Sequence, residues 1–241
     1  MAGAALLALN ATAEVFNAGK GGASTTNLLG RSLLNKALKQ KPQLTILMAG
    51  TNDMLNSGKL ATYQKYEANL NKLLDILKKN NSKIILMTMP PCSETLLLMR
   101  HKKEKYPEPP AKRIEKGNAI IKKIAKDRKL PLVDVYAMFT AVTKDQDSKA
   151  SLLRNQANVK IKDGVHPRME GYKIIAEAVA QTIKKNNLPT GRIVCFGDSI
   201  SFKVHPSPAG NYTYSWDTGA TTDSIRVEPP YNNMNTVYNV T

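Results

Sequence analysis

The chain has 241 residues, 42% of them hydrophobic and 22% charged, with a formal net charge of +16 at pH 7. That length supports one full core, and the composition is that of a folded domain, excluding disordered and fibrous classes. No apolar run reaches the roughly 18 residues that cross a membrane, so no transmembrane segment is expected.

Two cysteines are too few for a disulfide scaffold. Cys92 and Cys195 sit in or beside apolar runs and read as small buried hydrophobes. Three histidines and two cysteines show no metal-ligand spacing, so neither a metal nor another cofactor is expected. Residues 1–10 are apolar without a basic leader, which reads as a helix rather than a signal peptide and leaves the compartment open. Lysines fall in scattered pairs (Lys78-Lys79, Lys102-Lys103, Lys122-Lys123, Lys184-Lys185) that are not interleaved with aromatics. A base-stacking surface needs such interleaving, so no specific nucleic-acid partner is expected. The charge reads as a solvated basic exterior, with attraction to an anionic glycan as the competing use.

In chain order, a helix over 4–10 precedes a short strand, Glu14–Asn17. The glycine-rich turn Asn17-Ala-Gly-Lys-Gly-Gly22 follows, then a helix over about 26–40 with Thr25 or Thr26 as its cap. Leu44–Met48 is a buried strand ending in Gly50-Thr-Asn-Asp53, and an amphipathic helix runs over about 62–79. Lys83–Met87 is the next strand, stopped by Pro90-Pro91. Residues 92–110 read as loop, 111–128 as helix, and Pro131–Val135 as strand. Polar residues 143–160 lead to Asp163-Gly-Val-His166 and a helix from about Glu170 to Lys185. The last strand, Ile193–Phe196, is broken by Gly197 and followed by Asp198-Ser199. Five buried strands alternating with helices predict an α/β fold with a doubly wound parallel sheet.

Past Phe202 the composition changes. Residues 203–241 carry a net charge of −1, leaving +17 on the rest, and hold the single Trp216 with Tyr212, Tyr214, Tyr231 and Tyr238. They read as an extended, turn-rich segment over the sheet's end, or as a partly ordered terminus.

Ligands of open parallel sheets bind beyond the carboxyl ends of the strands. A serine presented there by a tight turn can be an exposed nucleophile, although Gly-Asp-Ser is also ordinary helix-cap chemistry. Taken together, Gly197-Asp-Ser199, Asn17-Ala-Gly-Lys-Gly-Gly22, Gly50-Thr-Asn-Asp53 and Asp163-Gly-Val-His166 resemble the four blocks of the SGNH, or GDSL, hydrolase superfamily. The resemblance spans residues 1–202 and implies a three-layer α/β/α sandwich with a flavodoxin-like five-stranded sheet. It departs from the family in order, since the serine block here follows the histidine block. A circular permutation accounts for that. The competing account is a domain missing its first strand, followed by the start of another copy, which would leave residues 192–241 unpaired with the rest.

By this resemblance Ser199 is the nucleophile, His166 the general base, and Asp163 the group that orients it. The oxyanion donors are the backbone N–H groups of Ser199 and Gly22 and the side-chain amide of Asn52. Asp53 and Asp198 are assigned to hydrogen bonds around the turns. His101, in the basic run Arg100-His-Lys-Lys103, is expected to be a solvated surface residue, and His205 lacks a neighbouring carboxylate. The implied activity is hydrolysis of short-chain acyl esters, including O-acetylated carbohydrate, through an acyl-enzyme. Trp216 and Tyr214 are expected as a sugar-stacking wall. A catalytically idle module binding an acidic polysaccharide, and a lysophospholipase or thioesterase with the same triad, are the alternatives. The domain is expected to span 1–202, with 203–241 as an extension at the site's rim.

Overall fold

Five strands, β1 (Glu14–Asn17), β2 (Leu44–Met48), β3 (Lys83–Met87), β4 (Leu132–Val133) and β5 (Arg192–Gly197), form one parallel sheet in the order β1-β5-β2-β3-β4. They belong to a computed structural model that describes residues 14–197. The strand at the end of the described chain therefore lies between the two that come first. Ile193 pairs with Val15 on one side and Leu44 on the other. For residues 192–197 this pairing overturns the account in which the last strand stands apart from the preceding domain.

The sheet has helices on both faces, which is why its strands are almost continuously apolar rather than alternating with polar residues. Side chains of one strand point alternately to opposite faces, and this divides the core in two. Leu47, Ile84, Leu86, Val194 and Phe196 enter one cluster; Leu44, Ile46, Met48, Ile85, Met87, Ile193 and Cys195 enter the other. The first is closed by α1 (Thr25–Leu28), α2 (Arg31–Lys39), α4 (Tyr63–Lys79) and α6 (Pro110–Asp127). The second is closed by α7 (Val135–Val142) and α8 (Met169–Lys185). The short helices α3 (Thr51–Leu55) and α5 (Glu94–Leu98) sit at the strands' carboxyl ends. On α4, Leu70, Leu73, Leu74 and Leu77 repeat at helical spacing and are all buried. Each contributes about 1.5–3 kcal/mol relative to exposure.

Local chemistry moved several boundaries. The helix expected over 26–40 is two helices, and its cap is Ser24 rather than Thr25 or Thr26. Ser24 and Asn27 bond reciprocally through side chain and backbone, which satisfies amide groups that a helix start leaves open. The segment expected as loop over 92–110 contains α5, capped by Ser93, whose Oγ accepts from the Leu96 N–H at 3.0 Å. The strand expected over Pro131–Val135 pairs only at Leu132 and Val133. Asp134 instead accepts from the Ala137 N–H at 3.2 Å and opens α7. The apolar run continuing past Asp134 hid that helix, because a buried strand and a short buried helix look alike in sequence.

Candidate functional site

All five strands end at the same edge of the sheet, and the loops beyond that edge enclose an open cleft of about 210 Å3. Gly22 reaches it from the loop after β1, Asn52 from α3 after β2, and His166 from the turn before α8. These three expected residues, separated by up to 144 positions in the chain, therefore share one surface. Ser199, Asp198, His205, Tyr214 and Trp216 lie outside the described residues. The strand leading to Ser199 does not: β5 ends at Gly197, beside Met48, which lines the cleft.

Asp163 lies behind His166. The imidazole Nδ1 is 2.9 Å from Oδ1 and 3.0 Å from Oδ2 of the carboxylate. Oδ1 also accepts from the backbone N–H groups of Val165, at 3.1 Å, and His166, at 3.0 Å. Burial alone would raise the Asp163 pKa, but these bonds and the partner imidazole outweigh it and hold the carboxyl at about 2. A carboxylate ionised at neutral pH only accepts. Nδ1 of His166 therefore carries the proton, and in the neutral ring Nε2 is the basic nitrogen. Asp163 is buried while His166 is exposed at the cleft, which sets a fixed anion behind an accessible imidazole.

The loop carrying Gly22 is held from the 51–61 segment. The Lys59 ammonium donates to the Gly22 carbonyl at 2.6 Å, and the Asn52 amide donates to the neighbouring Ala23 carbonyl at 3.2 Å. Asp53, expected to serve the turns, does so. Its two oxygens accept from the Thr25 N–H at 2.8 Å and the Thr25 hydroxyl at 2.5 Å. Its burial raises its pKa, and the Thr25 bonds oppose that. Sequence reading missed Arg113, which is buried and donates to the carbonyls of Asp53, Met54 and Ala61. On α6 it looks like one more surface cation, and only the fold turns it inward.

The expectation for His101 is corrected. Arg100 and His101, in the turn that follows α5, both line the cleft. His101 Nδ1 bonds the Ser57 hydroxyl at 2.9 Å, and its ring meets Tyr106 edge-on at 6.4 Å. Burial, with the Arg100 charge added, lowers its pKa. Cys92 and Cys195 are buried thiols, as expected, and burial pushes both up to about 12. Neither is a thiolate nucleophile at neutral pH. Among the described residues, no group of three His, Cys, Asp or Glu is placed to share a metal ion.

The chain has counterparts among known proteins. The family model described as GDSL-like lipase/acylhydrolase matches residues 3–179, well over half of the chain. The chain belongs to that family. The crystal structure of a GDSL-like lipase from Bacteroides thetaiotaomicron is 27% identical, with a TM-score of 0.53 over 68% of this chain and 73% of that one. A catalytic mutant of an acetylxylan esterase from Geobacillus stearothermophilus is 25% identical, with a TM-score of 0.51 over 67% and 68%. A lipase/acylhydrolase from Enterococcus faecalis, 22% identical with a TM-score of 0.54 over 70% and 74%, shares the fold. No curated protein sequence matches the chain. This GDSL-like protein is thus a hydrolase of the acylhydrolase class with an α/β fold. The matched segment stops before β5, so the Gly197-Asp-Ser199 block lies beyond it.

Proposed function

We propose that this GDSL-like hydrolase is a metal-independent serine esterase acting on short-chain acyl esters, including O-acetyl groups of carbohydrate. The observation that carries the reading is the hydrogen-bonded Asp163–His166 turn facing the same cleft as Gly22 and Asn52, at the sheet edge where β5 runs out two residues before Ser199. His166 Nε2 takes the proton from the Ser199 hydroxyl as Oγ attacks the ester carbonyl, and Asp163 stabilises the imidazolium that forms. The carbonyl oxygen, now negative, is met by the N–H groups of Ser199 and Gly22 and by the Asn52 amide. His166 returns its proton to the departing alcohol, leaving an acyl group on Ser199. Water, activated by the same base, then releases the acid.

The cleft volume supports a small acyl group. The acetylxylan esterase neighbour supports an acetylated carbohydrate as the ester, with Trp216 and Tyr214 as a sugar-facing wall. The position of β5 between β1 and β2 supports a circular permutation in which residues 1–202 are one hydrolase domain and 203–241 an extension.

Hydrolysis of p-nitrophenyl acetate, butyrate and octanoate by the wild type and by Ser199→Ala tests the reading. Turnover that falls with acyl length and disappears in the variant is expected. A variant as active as the wild type removes Ser199 as nucleophile. Asn52→Ala is expected to lower kcat about 10²–10³-fold with little change in KM, the usual cost of one oxyanion donor.

A further inference from the structure

Among the described residues lining the cleft, none is a carboxylate, and Arg100 is the one permanent cation. The Arg100 side chain is 41% exposed. One corner of its guanidinium, Nη2, donates to the Asp163 main-chain carbonyl. The same nitrogen is 3.9 Å from Asp163 Oδ1, beyond hydrogen-bond range, and Arg154 stands at the same distance from Oδ2. Asp163 already accepts from two backbone amides and from His166. It does not need Arg100, and two arginines around a single carboxylate leave local positive charge when His166 is neutral. A guanidinium carries five donors in a planar fork matched to a carboxylate. In Arg100 this fork is anchored at one corner and otherwise presented to the cleft, with the overall charge of +16 behind it. Hydrolysis of a neutral ester calls for none of this.

We propose that Arg100 is a specificity residue forming an anion subsite beside the Asp163–His166 pair, and that the ester this hydrolase takes bears a carboxylate, on its alcohol part as in an acylated sugar acid or on its acyl part as in a dicarboxylic half-ester. His101, next to Arg100 at the cleft, adds a hydrogen-bonding edge rather than charge at neutral pH, since its pKa is lowered by burial and by Arg100. The inference rests on the esterase reading above.

The test uses two matched pairs of esters. On the alcohol side, 4-acetoxybenzoate is compared with 4-acetoxybenzamide; on the acyl side, p-nitrophenyl hemisuccinate is compared with p-nitrophenyl butyrate. The ratio of kcat/KM, anionic over neutral, is read for the wild type, Arg100→Gln, Arg100→Lys and the neighbouring surface variant Lys103→Gln. The ratio cancels any general loss of activity that Arg100 substitutions cause through Asp163. For one of the two pairs, a wild-type ratio of about 2–5 is expected, consistent with a solvent-screened charge contact. It should fall to about 1 in Arg100→Gln, survive in part in Arg100→Lys, and be unchanged in Lys103→Gln. Raising the salt from 0.05 to 0.5 M should shrink it. The pair that responds identifies which side of the ester carries the carboxylate. Wild-type ratios near 1 on both pairs, or a ratio that Arg100→Gln leaves intact, overturn the anion subsite while leaving the esterase reading standing. Absence of turnover on all four esters overturns both.

Discussion

At the scale of single residues, the clearest electrostatic statement concerns Asp163. Burial penalises its charge, yet two backbone N–H groups and the His166 ring hold its pKa at about 2, below the unfolded value near 3.8. A carboxylate whose folded pKa is depressed stabilises the fold above the unfolded pKa and loses that contribution as pH falls through the folded one. The window is therefore about pH 4 down to 2. Urea midpoints of the wild type should decline across it more steeply than those of Asp163→Asn, which has no proton to take up at that position. Parallel declines would mean that the carboxylate is not held as described. The Asp163-Gly-Val-His166 spacing was legible in sequence. The second charge beside it was not, because Arg100 belongs to a run that looks like ordinary solvated surface. Nothing local in Arg100-His101-Lys102-Lys103 distinguishes the two residues that face the cleft from the two that follow.

At the scale of elements, the end of β5 controls how the last strand meets the site. Gly197 has φ of +127°, and a Cβ on it would fall 1.6 Å from the Met48 carbonyl oxygen. That oxygen belongs to the paired neighbour β2, so it cannot withdraw without breaking the sheet. Gly22 also has positive φ, at +73°, but a Cβ there meets nothing within 4 Å. Gly197→Ala is accordingly expected to cost about 3 kcal/mol or more, or to prevent folding. Gly22→Ala should cost about 1–2 kcal/mol of backbone strain. Thermal unfolding of both variants side by side checks this, and equal melting temperatures would contradict the close approach at Gly197. Such contrasts between glycines are invisible in sequence, where Gly22 closes a glycine-rich turn and Gly197 ends an apolar run. The hidden helices have a similar cause. α5 and α7 are short and apolar throughout most of their length, so their periodicity is too brief to separate from loop or strand.

At the scale of the whole molecule, the sheet depends on a strand drawn from the far end of the described chain. β5 supplies hydrogen-bond partners to β1 and β2 at once, and Ile193, Val194, Cys195 and Phe196 are at most 1% exposed between the two cores. Truncation after Leu188 is expected to leave β1 without a neighbour and to abolish cooperative unfolding followed by circular dichroism. A sharp transition in the truncated chain would show that residues 14–188 fold alone. The sequence by itself determined the α/β class, the five strands and the four strand-end motifs, because strand runs and turn residues are local signals set by neighbouring side chains. It also pointed to the family through those motifs. What only the tertiary structure decided is where β5 inserts, that Gly22, Asn52 and His166 meet on one cleft, that Arg113 turns inward to three carbonyls, and that Arg100 and His101 face that cleft. Those facts depend on contacts between residues dozens to more than a hundred positions apart and on which face of a helix is covered, and no local pattern encodes either.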